Sequence, residues 1–332
     1  MLLVKYSFII SLQLLLSYCA LKFYTKISPI IIIKDEFTNF ERGKVIGGAG
    51  VVFLLVFNIF FFIYLLIFNF NLPEKFFIFL IAATVLGFLS LYDDYKNVDP
   101  IPRLIVQIVC IYFSLATVPH IVNFLPIKLS ILIFLFLWVY IVNINNFVDG
   151  ADGFCLTNAF FFFLSVLFLD IYYELNLFSK FISILILPIL FVFFFFNAPP
   201  AKMFMGDAGS IFLGFLIGYC IIELSFSKFY FYAFAAFAYP ILDCSISLLK
   251  KTIKGYLPWK RLGDYYFLLP KKRLRKLNFV LVEKKIFYSI FILNVCNFSI
   301  LLLSIYFEAQ YLVLINFLNS FFLLLIFKRY RK

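Results

Sequence analysis

Eleven apolar runs, most of them long enough to cross a lipid bilayer, occupy the greater part of the chain and exclude a water-soluble globule. They are Tyr6–Phe23, Ile46–Phe68, Phe76–Tyr92, Leu104–Val118, Leu129–Val142, Phe154–Leu169, Phe181–Phe196, Ile211–Ile222, Phe229–Leu249, Ile286–Phe307 and Tyr311–Phe327. A spanning helix needs about 20 mostly apolar residues. In hydrocarbon every backbone polar group must be bonded within the protein, so such runs are read as helices. The 332 residues are 65% hydrophobic and include 51 Phe, against roughly 45–50% apolar content in soluble domains. The expected fold is all-α: a polytopic integral membrane protein of about eleven transmembrane helices, forming one transmembrane domain over residues 1–332. The first run follows Lys5, as a signal peptide would. Ser17-Tyr18-Cys19-Ala20 is a poor cleavage site, however, and ten more spans follow, so the run is kept as a helix.

The basic residues orient these helices. With the N-terminus outside, the outer segments hold only Lys5, Lys75, Lys128, Lys180 and Lys228 of the 29 Lys and Arg. All the others fall in inner segments or the C-terminal tail, as the positive-inside bias requires, and the C-terminus is then cytoplasmic. The net charge of +12 is concentrated between Lys250 and Lys285, next to the membrane, where anionic lipid headgroups explain it better than nucleic acid does. Six cysteines without a close pair suggest neither disulfide nor metal. The single histidine, His120, sits beside Pro119 in an outer loop as a surface residue.

The acidic residues are less ordinary. Asp93-Asp94, Asp149, Asp152 and Asp207 all fall on the inner side, and only Lys202 accompanies the last two of these segments. Carboxylates gathered without bases at one membrane face repel one another unless a cation compensates them. A bound divalent metal is the economical explanation. Adjacent residues on a helix point about 100° apart, so one of Asp93 and Asp94 is expected to enter a site while the other braces a neighbour. Alone, that segment reads as an acidic loop before a proline turn.

The stretch from Asn143 to Gly153 is harder to dismiss. Asp149 and Asp152, three apart, are expected to project from one face of a helical turn, with Gly150 and Gly153 freeing the backbone for close approach to a ligand. Asn143, Asn145 and Asn146 add neutral oxygen donors of the kind hard cations such as Mg²⁺ accept. A third segment, Asn197 to Ser210, ends in Gly206-Asp207-Ala208-Gly209-Ser210 at a helix start. Free N–H groups at that end suit phosphate, beside a carboxylate that suits metal. Alone, it reads as an ordinary helix cap.

In order and spacing the three segments resemble the polyprenyl-phosphate N-acetylhexosamine-1-phosphate transferases, the superfamily of the WecA-like and MraY-like enzymes. The resemblance begins at Lys44-Val45-Ile46-Gly47-Gly48 and continues to Pro240-Ile241-Leu242-Asp243. Eleven spans with these termini are what the WecA-like branch implies. The resemblance implies a UDP-sugar donor, undecaprenyl phosphate as acceptor, Mg²⁺ (or Mn²⁺) as cofactor, and a bacterial inner-membrane protein with its site on the cytoplasmic face, in loops near 25–46, 93–103, 143–153, 197–210 and 250–285. It implies Asp207 as a metal ligand with Asn146 as a second contributor, and Asp93 and Asp94 as essential site residues. Asp149 and Asp152 would bind or orient the nucleotide sugar, and Lys44, Asn143, Gly206, Lys260 and Arg261 would contact substrate. Asp94 is expected to orient the lipid phosphate or a nearby Lys44, with proton abstraction as the lesser alternative. Partners beyond the substrates are membrane lipids and, in an unremarkable case, a second copy; nucleic acid is not expected.

One departure stands out. The family's last inner loop carries histidines after a Pro-Phe pair, whereas here Gly255–Phe267 contains none. Lys260, Arg261 and the tyrosines are the available substitutes for binding pyrophosphate and stacking on a base or sugar. The loop therefore leaves open both the identity of the nucleotide sugar and an inactive family member. A transporter or flippase of lipid-linked sugars is the main rival, although transporters place ionisable groups near the bilayer midplane.

Overall fold

The structure is a computed structural model that describes residues 2–34, 41–68, 72–96, 98–118, 126–227, 229–257, 263–274 and 278–331. It is a helical membrane protein with helices α1 (Leu2–Ile27), α2 (Gly50–Phe68), α3 (Lys75–Lys96), α4 (Pro100–Ser114), α5 (Ile127–Phe147), α6 (Phe154–Tyr173), α7 (Phe178–Asn197), α8 (Gly206–Ser225), α9 (Tyr230–Ala236), α10 (Ala238–Ile253), α11 (Leu269–Arg273), α12 (Phe279–Tyr306) and α13 (Leu314–Lys328). Among the described residues ten helices are long and apolar enough to cross a membrane, and α9 with α10 makes an eleventh candidate, bent by 71°. The bend falls at Phe237, three residues before Pro240. Proline has no N–H to donate to the carbonyl of Ala236, so a continuous helix would be interrupted there.

Helix α8 is the centre of the bundle. From Ala208 to Leu224 every residue is buried, and its neighbours include α2, α3 and α5. Such a helix needs no polar face. It does need small residues wherever another backbone comes close. A Cβ on Gly50 of α2 would run into the backbone of Gly209, and one on Gly218 would run into the Trp138 ring of α5. Trp138 meets its own polar requirement by donating to the Phe215 carbonyl at 2.9 Å.

Several boundaries differ from the apolar runs, for reasons that hydropathy does not see. The run beginning at Ile46 becomes helix only at Gly50, because Glu41–Ile46 is a strand (β2) paired antiparallel with β1 (Ile31–Lys34). Ile46 also bridges Met203, and Ala49 and Gly50 donate to the carbonyls of Phe204 and Met205 at 3.1 and 2.8 Å. This main-chain seam joins the start of α2 to the approach of α8. The Ile211–Ile222 run is part of a longer helix that begins at Gly206, and Asn143–Phe147 belong to the last turn of α5 rather than to a loop.

Substituting Gly218→Leu is expected to cost folded protein, because overpacking a tight core costs about 1–3 kcal/mol and here the neighbour is a rigid indole ring. A lower thermal midpoint in detergent than for a Leu at a lipid-facing position of α13 is the measurement that checks it.

Candidate active site at one end of the bundle

The site is assembled around the first turn of α8. Asp207 N–H donates to Asp94 Oδ1 at 2.8 Å and Ala208 N–H to Oδ2 at 3.1 Å, so a carboxylate from the end of α3 occupies the positive end of the α8 dipole. Gly206, at φ +69°, makes this possible, since a Cβ there would collide with the Asp94 carboxylate. The expectation that these N–H groups are free for phosphate is therefore corrected: Asp94 already holds them. Asp93 accepts from Val98 N–H at 2.6 Å and pairs with Arg103, whose guanidinium also reaches Asp207 Oδ2 at 2.7 Å. Both acids of the pair thus brace neighbours. No hydrogen bond or ion pair among the described residues joins Asp94 to the exposed Lys44, so that predicted contact is not made.

The last turn of α5 brings in the amides. Asn145 donates to the Ser210 carbonyl at 2.7 Å and Asn146 to Ser210 Oγ at 3.1 Å, which leaves the Asn146 carbonyl oxygen as the end available to a ligand. Asn143 turns instead toward α4, donating to Gln107 at 3.0 Å and to the Val139 carbonyl at 2.8 Å. Beyond the helix the chain turns sharply, and Asp149 is half-buried near Asp207 and Asp94. Burial holds its carboxyl up to about 8, the charges of Asp207 and Asp94 push it the same way, and Arg42 and Lys271 oppose them.

Asp152 requires a second correction. Residues 148–153 are not a helical turn, and Asp152 does not share a face with Asp149. It is buried, pairs with Arg42, and accepts from Ala201 N–H at 2.9 Å. Its own N–H donates to Glu283 at 3.1 Å. Glu283 in turn binds Arg42 at 2.8 Å and the buried Lys271 at 2.6 Å. The Arg42 guanidinium lies 4.7 Å from the ring centres of both Phe204 and Phe279. Asp243 of α10 is equally committed: it accepts from Tyr266 and Phe267 N–H at 2.9 and 3.1 Å and from Tyr239 and Ser247, anchoring the last inner loop.

Asp94, Asp149, Asp207 and Asn146 are therefore brought together, Asp93 and Gly206 support them, and Asn143 and Asp152 serve neighbouring structure. Lys260 and Arg261 lie outside the described residues, as does His120. Arg42, Arg103, Lys271 and Glu283 carry no motif that marks them in the sequence. The one available signal was Glu283, an isolated acid within a basic stretch. Among the described residues no three acidic, His or Cys side chains are close enough to cage a metal by themselves. The oxygen donors of Asp207 and Asn146 instead suit an ion such as Mg²⁺, which uses one or two carboxylates and completes its shell with water and substrate phosphate.

A family model described as glycosyl transferase family 4 matches residues 76–225, a span that holds all three acidic segments. This match and the relatives below support a place in the polyprenyl-phosphate hexosamine-1-phosphate transferase superfamily. A phospho-N-acetylmuramoyl-pentapeptide-transferase of Petrotoga mobilis is 29% identical over 211 residues, covering 58% of this chain and 64% of the relative. One from Streptococcus uberis is 29% identical over 58% of this chain and 69% of its own. A Sulfolobus acidocaldarius protein, provisionally named a UDP-N-acetylglucosamine–dolichyl-phosphate N-acetylglucosaminephosphotransferase, is 27% identical over 52% of this chain and 56% of its own. The chain thus spans a little over half to about two thirds of the length of these relatives.

The raised Asp149 carboxyl has a consequence for stability. The folded form binds this proton more tightly than an unfolded chain does, so stability contributed by the protonated group is lost as pH rises from about 4 toward about 8. In chelator-treated protein the thermal midpoint should decline across that window, and Asp149→Asn should flatten the decline. Identical slopes in the two proteins would show that Asp149 is not the group that titrates across this window.

Proposed function

We propose that this protein transfers a sugar-1-phosphate, of the N-acetylhexosamine class, from a UDP-sugar to undecaprenyl phosphate, releasing UMP and starting a lipid-linked surface polysaccharide. The observation that carries this reading is the convergence of Asp94, Asp149 and Asp207, from three separate segments, at one end of a membrane bundle. A transporter has no use for such a terminal cluster, since its ionisable groups belong near the bilayer midplane.

In this reading the acceptor's terminal phosphate oxygen attacks the sugar-bearing phosphorus of the donor, and the bond from that phosphorus to the oxygen of UMP breaks. A phosphate monoester has a second pKa near 6, so the attacking oxygen is already largely ionised and no general base is required. The main task is positioning and neutralising charge on the phosphoryl oxygens. Asp207 and Asn146 would hold Mg²⁺ or Mn²⁺, which when bound supplies that neutralisation and draws the two phosphates together. Asp94 fixes Asp207 through the main chain. Arg103, now shared between Asp93 and Asp207, supplies a guanidinium within reach of an incoming phosphate. Asp149, close enough to feel the charges of Asp207 and Asp94, would orient the nucleotide sugar.

The site would lie on the cytoplasmic side, as the distribution of Lys and Arg favours, in a bacterial inner membrane. Kinship with the WecA-like branch is supported by the eleven candidate spans. The Petrotoga and Streptococcus relatives carry names of the other branch, so a panel of nucleotide sugars is the deciding assay. Purified protein should release UMP only when a divalent cation and polyprenyl phosphate are both present. Asp207→Asn should lower turnover by roughly 10²-fold or more, on the scale of removing one charge-stabilising group. Release of UMP without the lipid, or an Asp207→Asn variant with normal turnover, would defeat the proposal.

A further inference from the structure

A buried ion network lies beside the site. It contains two cations, Arg42 and Lys271, and two anions, Asp152 and Glu283, all at most 5% exposed at the side chain. Replacing buried ion pairs with apolar residues is often neutral or stabilising, so bulk stability is a poor reason for building one. Its geometry supplies a better reason. Lys271 Nζ donates to the Gly150 carbonyl at 2.6 Å, next to Asp149 in the chain, while also binding Glu283. Glu283 accepts from the Asp152 N–H, on the other side of the same turn. The turn that carries Asp149 is therefore gripped at Gly150 and at Asp152 by two charged groups from α11 and α12.

Lys271 also belongs to the helix that closes the last inner loop. The preceding residues of that loop are tied to α10 by the bonds of Tyr266 and Phe267 to Asp243. Phe267 further stacks on Phe154, at the start of α6, with ring centres 4.3 Å apart. A displacement of the loop is thus passed by direct contact to both ends of the Asp149 turn.

We propose that Lys271 and Glu283 are positioning residues for the nucleotide-sugar subsite, acting together as a latch that sets the place of the Asp149 turn from the place of the last inner loop. The latch rests on the function proposed above only for the identity of what the subsite binds.

The test uses the full chain in nanodiscs. Hydrogen exchange of peptides covering residues 148–154 is measured alongside donor and acceptor kinetics for wild type, Lys271→Met, Glu283→Gln, the double variant, Lys271→Arg and Glu283→Asp. The expected result is exchange in 148–154 at least about 10-fold faster in both single charge deletions, with no further gain in the double variant, as for residues that act as one unit. The Michaelis constant for the nucleotide sugar should rise more than turnover falls, with that for polyprenyl phosphate unchanged, and Lys271→Arg should recover part of both effects. Unchanged exchange in the 148–154 peptides would overturn the latch. So would an equal loss for donor and acceptor with no recovery by Lys271→Arg. Should a charge deletion not fold, Lys271→Arg and Glu283→Asp decide the matter by the same exchange measurement, with exchange no faster than the wild-type rate in both overturning it. A wild-type protein that turns over no nucleotide sugar would sink the proposed reaction, while the exchange data would still judge the latch.

Discussion

The pair of hydrogen bonds from the first turn of α8 to the Asp94 carboxylate is the interaction on which the rest of the site depends. A helix start buried in a bundle leaves N–H groups that must find acceptors. Here one carboxylate takes two of them, each such bond to a charged group contributing about 1.5–3 kcal/mol. The same contact fixes α3 to α8 and sets Asp207 in place. A residue whose chemistry suggests catalysis thereby does structural work, holding the main chain of Asp207 and Ala208.

A buried, almost featureless α8 is what makes this arrangement rigid. Its glycines let α2 and α5 approach to backbone distance, and the seam from Ile46 to Met205 locks the entry of α2 alongside the entry of α8. Three chain segments distant in sequence are so delivered to one end of the bundle with little freedom. Rigid delivery suits a reaction that asks for alignment of two phosphates more than for proton transfer. The charged network of Arg42, Asp152, Lys271 and Glu283 extends the same logic outward, from the Asp149 turn to α11 and α12.

The opposite end of the bundle shows the same economy without the chemistry. Glu223 accepts from the N–H groups of Phe178 and Ser179 at the start of α7, and from Tyr219, four residues before it. Asp170 accepts from Leu177 N–H and pairs with Lys180. There each buried carboxylate is matched to helix donors or a base. At the Asp149 end helix donors and Arg103 are matched to carboxylates in the same way, but there several acids lie close enough to raise one another's pKa.

What the sequence determined by itself was the helical membrane architecture, the approximate spans, and the three acidic segments that carry the resemblance to the superfamily. Those features are local: hydrophobic length and residue type are legible without coordinates. The direction in which each acid points was decided only by tertiary structure. Asp149 and Asp152 stand three apart, but residues 148–153 make an irregular turn between α5 and α6 and not the helical turn that would have placed them on one face. Asp152 then falls to a partner 110 positions away, Arg42, and Asp94 to the main chain of Asp207, 113 positions away. Hydrogen bonds across such separations leave no periodicity in the chain, because they are set by how helices pack and not by how residues follow one another.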